Sequence, residues 1–358
     1  MKIIIPLLGT FSKEGGWRVL SQLSNHWQAE GHEVVFLSYI VNKEPYFPTT
    51  AKILFYDNDG EVHSNGVTSY KKPFGRFFGM RKALRKALDS MEADVVLATH
   101  SFTALPVKKS KIKAKKFYYV QAYEPGFFHD KSLLNYVLKY ISTQSYKLGL
   151  NIIVNSPMFF NFEEIRSAKL AFPGLDLENF KPAENKKYGA KDKIIIGTIG
   201  RKEKHKGTSY ILEAFKLLRA ELGEKVELHV AFGDESMQGE GVKIINFKGD
   251  NYLAEYYKSL DLYICAGLIE LKAVHYPVIE AMACKVPVIT TGYLPANESN
   301  SWMIPSHDEI AIKDKVLEFL KESENVIENK VSVAFEDIQQ FSWKIVSKKM
   351  LRYFEENK

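Results

Sequence analysis

Apolar and polar positions fall into two alternating textures along this chain. Short apolar runs, such as III at 3–5, VVF at 34–36, VVL at 95–97, IIV at 152–154 and III at 194–196, read as strands buried on both faces. Between them, apolar residues recur with a period near that of a helix. Strands are expected at residues 2–8, 33–38, 94–99, 116–121 and 151–155, and again at 193–199, 225–232, 243–247 and 262–265. Helices are expected at 16–30, 81–91, 209–221, 253–259 and near 309–321. Strands and helices in alternation imply parallel sheets covered by helices on both faces. The texture breaks at FPGLDLENFKP (172–182), followed by a polar stretch to residue 192. A boundary near residue 184 divides an N-terminal domain (1–183) from a second α/β domain (184–340). The last segment, 341–358, is amphipathic through Trp343, Ile345, Val346, Met350 and Tyr353.

Length agrees with two domains, since 358 residues exceed one typical core. The opening MKIIIPLLGTF is short, and Lys13, Glu14 and Gly15 follow it without a small-residue cleavage site. It reads as a buried strand rather than a signal peptide. No apolar run reaches the roughly eighteen residues a membrane span needs. Cys265 and Cys284 sit in apolar contexts and offer neither a disulfide framework nor a metal quartet. A cytoplasmic location is expected. The net charge of +6 is unevenly spread. Lys71, Lys72, Arg76, Arg81, Lys82, Arg85 and Lys86 interleave with Phe74, Phe77, Phe78, Met80 and Leu84, and a second run holds Lys108, Lys109, Lys111, Lys113, Lys115 and Lys116. These read either as a solvated helix face with a basic loop or as a face attracted to anionic lipid at the inner side of a membrane. No nucleic-acid-binding module accompanies the charge.

Five places could carry chemistry. In IIGTIGRKEKHKGTSYILEAFKLL, from Ile195, a buried strand ends at Gly200 and a polar loop with Arg201 and Lys206 leads into a helix. Two cations beside a helix start suit a diphosphate, although an ordinary basic surface loop has the same look. In HYPVIEAMACKVPVITT, 275–291, a loop feeds a helix carrying Glu280. A carboxylate there either answers the helix dipole or accepts the hydroxyls of a ribose. Gly15 and Gly16 follow the first strand, where glycines let backbone approach a ligand or simply make a turn. In FYYVQAYEPGFFHD, 117–130, Glu124 follows a strand end and could orient a substrate hydroxyl or serve as a turn residue. His100 ends the strand VVLATH and could line a site or cap a helix. Asp57, Asp59 and Gly60 in YDNDGE read as a turn, lacking the rest of a calcium loop, and no metal is expected. The dinucleotide fingerprint GxGxxG is absent, which argues against a nicotinamide enzyme.

The segment 275–291, together with GRKEKHKG, VNSP at 154–157, FPGLDLENFKP and FKGDNYLAEYYKSLDLYICAG from Phe247, resembles GT-B glycosyltransferases, particularly the retaining family 4. The resemblance covers the second domain well and the first loosely. It implies two Rossmann-like doubly wound domains facing across a cleft, with the last helix crossing back to the first domain. It implies transfer of a sugar from a nucleotide-diphosphate donor, of UDP or dTDP type, to a glycan or lipid-linked hydroxyl, without a resident cofactor. Arg201 and Lys206 would bind the donor diphosphate and Glu280 its ribose. Gly249 and Tyr252 would lie near the base. Gly15, Gly16, Gly200 and the loop of Lys272, Val274, His275 and Tyr276 would face phosphate and sugar. Two positions depart from the pattern. Lys272 stands where the family has a Glu, with Glu270 two residues away, and Gln121-Ala122 stand where many members have a His. QAYEP is similar to a motif of a subset that includes bacterial rhamnosyltransferases. The departures keep two other readings open: a nucleotide-sugar-binding protein without catalysis, and a GT-B nucleotide-sugar epimerase.

Overall fold

Ile3, Ile4 and Ile5 set the layout of the first half of the chain. In the computed structural model they form the middle of strand β1 (Lys2–Pro6), all fully buried. Successive side chains leave opposite faces of a strand. Ile3 and Ile5 thus enter one apolar layer and Ile4 the other. The structure describes all residues except 14, 42–43, 72–74, 76, 129–131, 185, 190, 270–271 and 357–358. Lys72, Phe74 and Arg76 of the first basic run, and Glu270, lie outside the described residues.

After β1 come α1 (Gly15–Ala29), β2 (Glu33–Tyr39), β3 (Lys52–Tyr56), β4 (Val62–His63), α2 (Phe77–Asp89), β5 (Val95–Ala98), α3 (Ser101–Lys109), β6 (Lys115–Val120), α4 (Leu133–Ser145), β7 (Asn151–Val154) and β8 (Lys169–Leu170). The sheet order is β4-β3-β2-β1-β5-β6-β7-β8, parallel except for the β3–β4 pair. Helices α2 and α3 pack on the Ile4 side, through Leu84, Leu88, Ala104 and Val107. Helix α1 packs on the Ile3–Ile5 side, through Val19, Leu23 and Trp27.

The second series comprises β9 (Ile194–Ile199), α5 (Thr208–Leu222), β10 (Val226–Ala231), β11 (Val242–Ile245), α6 (Asp250–Lys258), β12 (Leu262–Cys265), α7 (Tyr276–Ala283), β13 (Val288–Thr290), β14 (Trp302–Met303), α8 (Glu309–Phe319) and α9 (Glu324–Asp337). Its six strands are all parallel, in the order β11-β10-β9-β12-β13-β14. The chain ends in α10 (Trp343–Glu356), which lies on α1: Trp27 donates its indole N–H to the Ser347 carbonyl at 3.2 Å and its ring meets Phe354 at 5.5 Å.

Two compact units result. Unit 1 is Met1–Gly174 with Trp343–Lys358, and unit 2 is Leu175–Ser342. The split falls about ten residues before 184, because FPGLDLENFKP already belongs mostly to unit 2. There the Leu175 amide bonds to the Phe341 carbonyl at 2.6 Å, and buried Phe180 meets the Tyr257 ring. At Gly174 a Cβ would lie 2.2 Å from the Trp343 indole, so only glycine fits under that ring. Strands β3, β4, β8 and β14 and helices α3, α4 and α9 are additions to the sequence reading.

The basic runs are thinner at the surface than their composition suggests. Arg81 is buried beneath the Phe77 ring, 5.1 Å away, and burial lowers its pKa. The Lys115 ammonium bonds to the last carbonyls of α10 at Phe354 and Glu355, and that of Lys116 to the Ser110 carbonyl at 2.6 Å. Among the described residues no helix is long and apolar enough to cross a membrane.

Candidate functional site

Each sheet reverses its winding direction once, and ligands of doubly wound folds bind outside the carboxyl ends of the strands at such a point. In unit 2 the reversal lies between β9 and β12. The loops leaving those strands are residues 200–207 and 266–275, which hold Gly200, Arg201, Lys206, Lys272, Val274 and His275. Residues from two separated stretches thus reach one sheet edge.

Glycines let these loops pack. The Gly200 amide bonds to the Ala231 carbonyl at 2.7 Å, and a Cβ on Gly200 would lie 2.6 Å from the Cα of Gly233. Gly207 has φ +76, and a Cβ there would come 1.8 Å from the Ala266 carbonyl oxygen. The Leu268 amide bonds to the His205 carbonyl at 2.9 Å, and the Arg201 amide to the Thr208 hydroxyl at 3.1 Å. Arg201 is therefore held at its backbone while its guanidinium is exposed, and Lys206 is half-buried.

The positive field of this edge is felt by His275. Its ring stacks on Tyr293, centroids 4.5 Å apart, with Nδ1 3.5 Å from the Cys265 sulfur. Burial, with the charges of Lys206 and Arg201 adding, lowers its pKa to about 3. Its imidazole is neutral at physiological pH and takes no share in holding an anion by charge. Lys272 adopts φ +70, a left-handed conformation costly for a side chain with a Cβ. It is held there by a bond from its amide to the Gly292 carbonyl at 2.6 Å. Val274 forms a parallel bridge with Leu294. His275 is the N-cap of α7 and Tyr276 its first residue, followed by Pro277 where a missing N–H costs nothing.

Glu280 lies one turn further along α7, buried, with Oε2 accepting the Tyr257 hydroxyl at 3.0 Å. Burial and the nearby carboxylate push that phenol well above its ordinary pKa, so Tyr257 donates its proton at all working pH values. Gly249, φ +97, caps α6, and Tyr252 in the first turn of α6 is 66% exposed. One residue the sequence reading missed stands at the same edge. Phe232, just past β10, has φ +57 and is 45% exposed, its ring 4.6 Å from Phe247. Bulky residues rarely adopt that conformation, and such outliers concentrate at binding sites. The signal was present as a large aromatic before Gly233-Asp234 at a strand end.

In unit 1 the reversal lies between β1 and β5. The loops there lead to Gly15, Gly16 and His100. Gly15 begins α1 with open space where a Cβ would be. The Gly16 carbonyl accepts the Gln121 side-chain amide at 3.3 Å, so Gln121 reaches this edge from the end of β6.

His100 caps α3, and its Nδ1 lies 3.1 Å from the Phe102 amide nitrogen and 3.1 Å from Glu124 Oε2. Glu124 is placed behind His100 and away from solvent, 4% exposed. Its Oε2 accepts the Ser101 amide at 2.8 Å and its Oε1 the Tyr118 hydroxyl at 2.9 Å, while its own amide donates to Tyr146 at 3.3 Å. The Nδ1 that accepts the Phe102 amide has no proton for Glu124, so the cap orients the half-exposed histidine while the carboxylate behind it is engaged by Ser101 and Tyr118.

Asp57, Glu61 and His63 bring ligand-type atoms within 4.8 Å of one another, a grouping that could hold a metal ion. Asp57 Oδ1 already accepts the amides of Asp59 and Glu61, and Oδ2 pairs with His63 at 3.0 Å. The carboxylate thus closes the expected turn.

Residues 193–322 match the family model described as Glycosyl transferases group 1. No curated protein matches the chain in sequence. Among solved structures, sucrose-phosphate synthase from Thermosynechococcus elongatus superposes with a TM-score of 0.72 at 15% identity, covering 99% of this chain and 98% of that one. HepE of Anabaena, solved with UDP and glucose, gives 0.68 at 12% identity with 99% of each chain covered. TarM of S. aureus, solved with Fondaparinux, alpha-GlcNAc-glycerol and UDP, gives 0.68 at 11% identity with 99% of each covered. These likenesses establish the GT-B arrangement of two parallel-sheet α/β units, and with the family match they support a GT-B glycosyltransferase.

Proposed function

We propose that this chain transfers a sugar from a nucleoside-diphosphate donor to a hydroxyl of a glycan or lipid-linked acceptor, with retention of anomeric configuration and without a metal ion. The observation that carries the reading is the meeting of Arg201, Lys206 and the 272–276 loop at the point where the unit 2 sheet reverses. Arg201 grips two diphosphate oxygens in a fork and Lys206 adds a compact charge. Both strengthen their hold as the bond from the anomeric carbon to phosphate breaks and charge grows on the leaving group. The acceptor oxygen bonds to that carbon on the face the phosphate leaves, and its proton passes to the departing phosphate oxygen. A nucleoside diphosphate is released. Glu280 holds the ribose hydroxyls, Tyr257 fixing its carboxylate. Phe232 and Tyr252 offer aromatic faces to the base, and the UDP found with HepE and TarM favours uracil over the related thymine. His100, its ring held by the Phe102 amide, is assigned to the acceptor side. The exposed lysines of unit 1 suit an anionic membrane surface bearing that acceptor.

The test is calorimetric titration and thermal unfolding with UDP, dTDP, GDP and ADP, on the wild type and on Arg201→Ala. A ligand at a hundred times its Kd stabilises by about 2.7 kcal/mol. The expected result is a shift with one pyrimidine diphosphate in the wild type that Arg201→Ala abolishes. No shift with any of the four overturns the reading. Lys272, standing where a Glu is usual, favours a second reading, a binding protein without turnover. Donor bound but never consumed across acceptor hydroxyls would select it.

A further inference from the structure

Helix α4 is built inside out. Leu133, Tyr136, Val137 and Tyr140 recur at the spacing of one helical stripe, and that stripe faces solvent, with exposures of 79, 73, 39 and 61%. The opposite stripe packs on α3 and on the turn at Glu124–Phe127, and it contributes Ser142 and Ser145 to the interior. An ordinary surface helix has the reverse arrangement. Leu134 and Phe127 widen the patch, at 66% and 59% exposed, and Phe78 adds a 61% exposed ring on α2 in the same helix layer. An exposed apolar helix stripe of this kind marks a surface that is covered in use.

Charge names the cover. From Val95 to Phe162 the chain has nine lysines against two acids, Glu124 and Asp130, and Glu124 is buried. Lys108, Lys109, Lys111, Lys113, Lys139 and Lys147 are exposed on or beside the α3–α4 layer. A second copy would bring two lysine-rich faces together, whereas an anionic lipid surface answers both the apolar stripe and the charge.

We propose that α4 inserts its Leu133–Tyr140 stripe into the interfacial zone of an anionic membrane, with the flanking lysines on the headgroups. This deepens the membrane-borne acceptor of the proposed function. Adsorption by charge alone is removed by salt, whereas an inserted stripe resists it. The binding is read without donor or acceptor, so failure of the donor site leaves it unaffected.

The test is flotation of the full chain with phosphatidylcholine vesicles, with and without about one-third phosphatidylglycerol, at about 0.1 and 1 M salt, where screening lengths are about 10 and 3 Å. The wild type is expected to float with the anionic vesicles and to keep part of its binding at high salt. The triple variant Leu133→Ser, Tyr136→Ser, Tyr140→Ser is expected to lose at least about tenfold in partitioning at both salts. Lys139→Gln with Lys147→Gln is expected to lose mainly at low salt. Tyr136→Trp, which keeps the helix intact, is expected to add an indole emission that shifts to the blue when anionic vesicles are supplied, read as the difference from the wild type. Wild-type-like flotation of the triple variant, or no such blue shift in Tyr136→Trp, overturns the proposal. So does a wild-type dimer that the triple variant dissolves while neither protein binds vesicles, which would assign the stripe to a second copy.

Discussion

The two units have the same kind of sheet reversal and fill it differently. Unit 2 lines its reversal with backbone held by glycines and carries there an exposed Arg201 and a half-buried Lys206. Unit 1 turns Glu124 inward, tying it to Ser101 and Tyr118 behind His100. The first arrangement suits an anion, since it gathers two cations beside a helix start. The second can hold an imidazole in one orientation, and little else by charge. Topology therefore gives each unit one candidate edge, and side-chain use is what separates the edge proposed for the donor from the edge proposed for the acceptor.

The largest expected effect breaks this contrast at its charged end. Arg201→Ala and Lys206→Ala should each lower kcat roughly 100- to 1,000-fold, about 2.7–4 kcal/mol of transition-state stabilisation, with unfolding stability unchanged. Arg201→Lys should recover little, because a point charge does not replace a fork. Steady-state kinetics with the pyrimidine donor identified by calorimetry would check this. A fall in donor affinity with kcat intact would make the two cations anchors and leave the chemistry elsewhere.

Next in size is the glycine contrast. Gly207→Ala must meet the Ala266 carbonyl in a left-handed conformation, and should cost about 3 kcal/mol or more. Gly15→Ala meets open space and should change stability by no more than about 1 kcal/mol. Urea unfolding of the two variants measures the difference. Equal losses would mean that the two reversals are built with the same tightness.

Third, Glu124→Gln should cost about 1–3 kcal/mol of stability. It should leave nucleoside-diphosphate affinity as in the wild type while lowering turnover with acceptor, as His100→Ala should. A change in nucleotide affinity in either variant would remove His100 from the acceptor side.

What the chain discloses in advance follows the same divide. The central strands of both sheets were legible because parallel strands buried on two faces need continuous apolar runs, and III at 3–5 and 194–196 supply them, whereas β4, β8 and β14 carry no such run. Arg201, Lys206 and Glu280 stood out in the sequence because charged residues next to strand–loop–helix turns are what a diphosphate and a ribose would demand, and the structure places Arg201 and Lys206 in the loop after β9 and Glu280 on α7. Glu124 was visible as a residue, but its burial comes from Tyr118, Ser101 and Tyr146 on other elements, and no local pattern reports that. Helix α3 carries Pro106 in its interior, which reads as a break. Helix α4 escaped because its apolar stripe points outward and its packed side is partly serine, so its periodicity lacks the polar face that marks a surface helix. Phe232 escaped because its sequence signal, an aromatic before Gly233-Asp234, is slight until the backbone angle singles it out.

The smallest effect sharpens the comparison through pH. His275 in unit 2 is held neutral down to about 3 by burial and by the charges of Lys206 and Arg201, whereas an unfolded histidine titrates near 6.5. Its folded pKa is depressed, so below 6.5 the unfolded chain binds a proton that the folded chain does not. Stability from this group is complete above about pH 7 and is lost as pH falls towards 3. At pH 6 the loss is about 0.8 kcal/mol. Glu227, lowered to about 2 by its bonds to Lys193 and Lys243, adds a second loss. Its contribution is present above the unfolded carboxylate value near 4.5 and disappears as pH falls towards 2. Both act on unit 2. Hydrogen exchange between pH 7 and 5 should therefore show β9 and β12 losing protection ahead of β1 and β5, and His275→Asn should reduce that early loss, leaving the part due to His229 on β10, whose pKa burial also lowers. A bound diphosphate neutralises the charges that press on His275, so UDP should shrink the loss further than its binding energy at pH 7 alone would. If acidification weakens both sheets together in the wild type and in His275→Asn alike, the neutral imidazole is not what sets the acid limit of the donor edge.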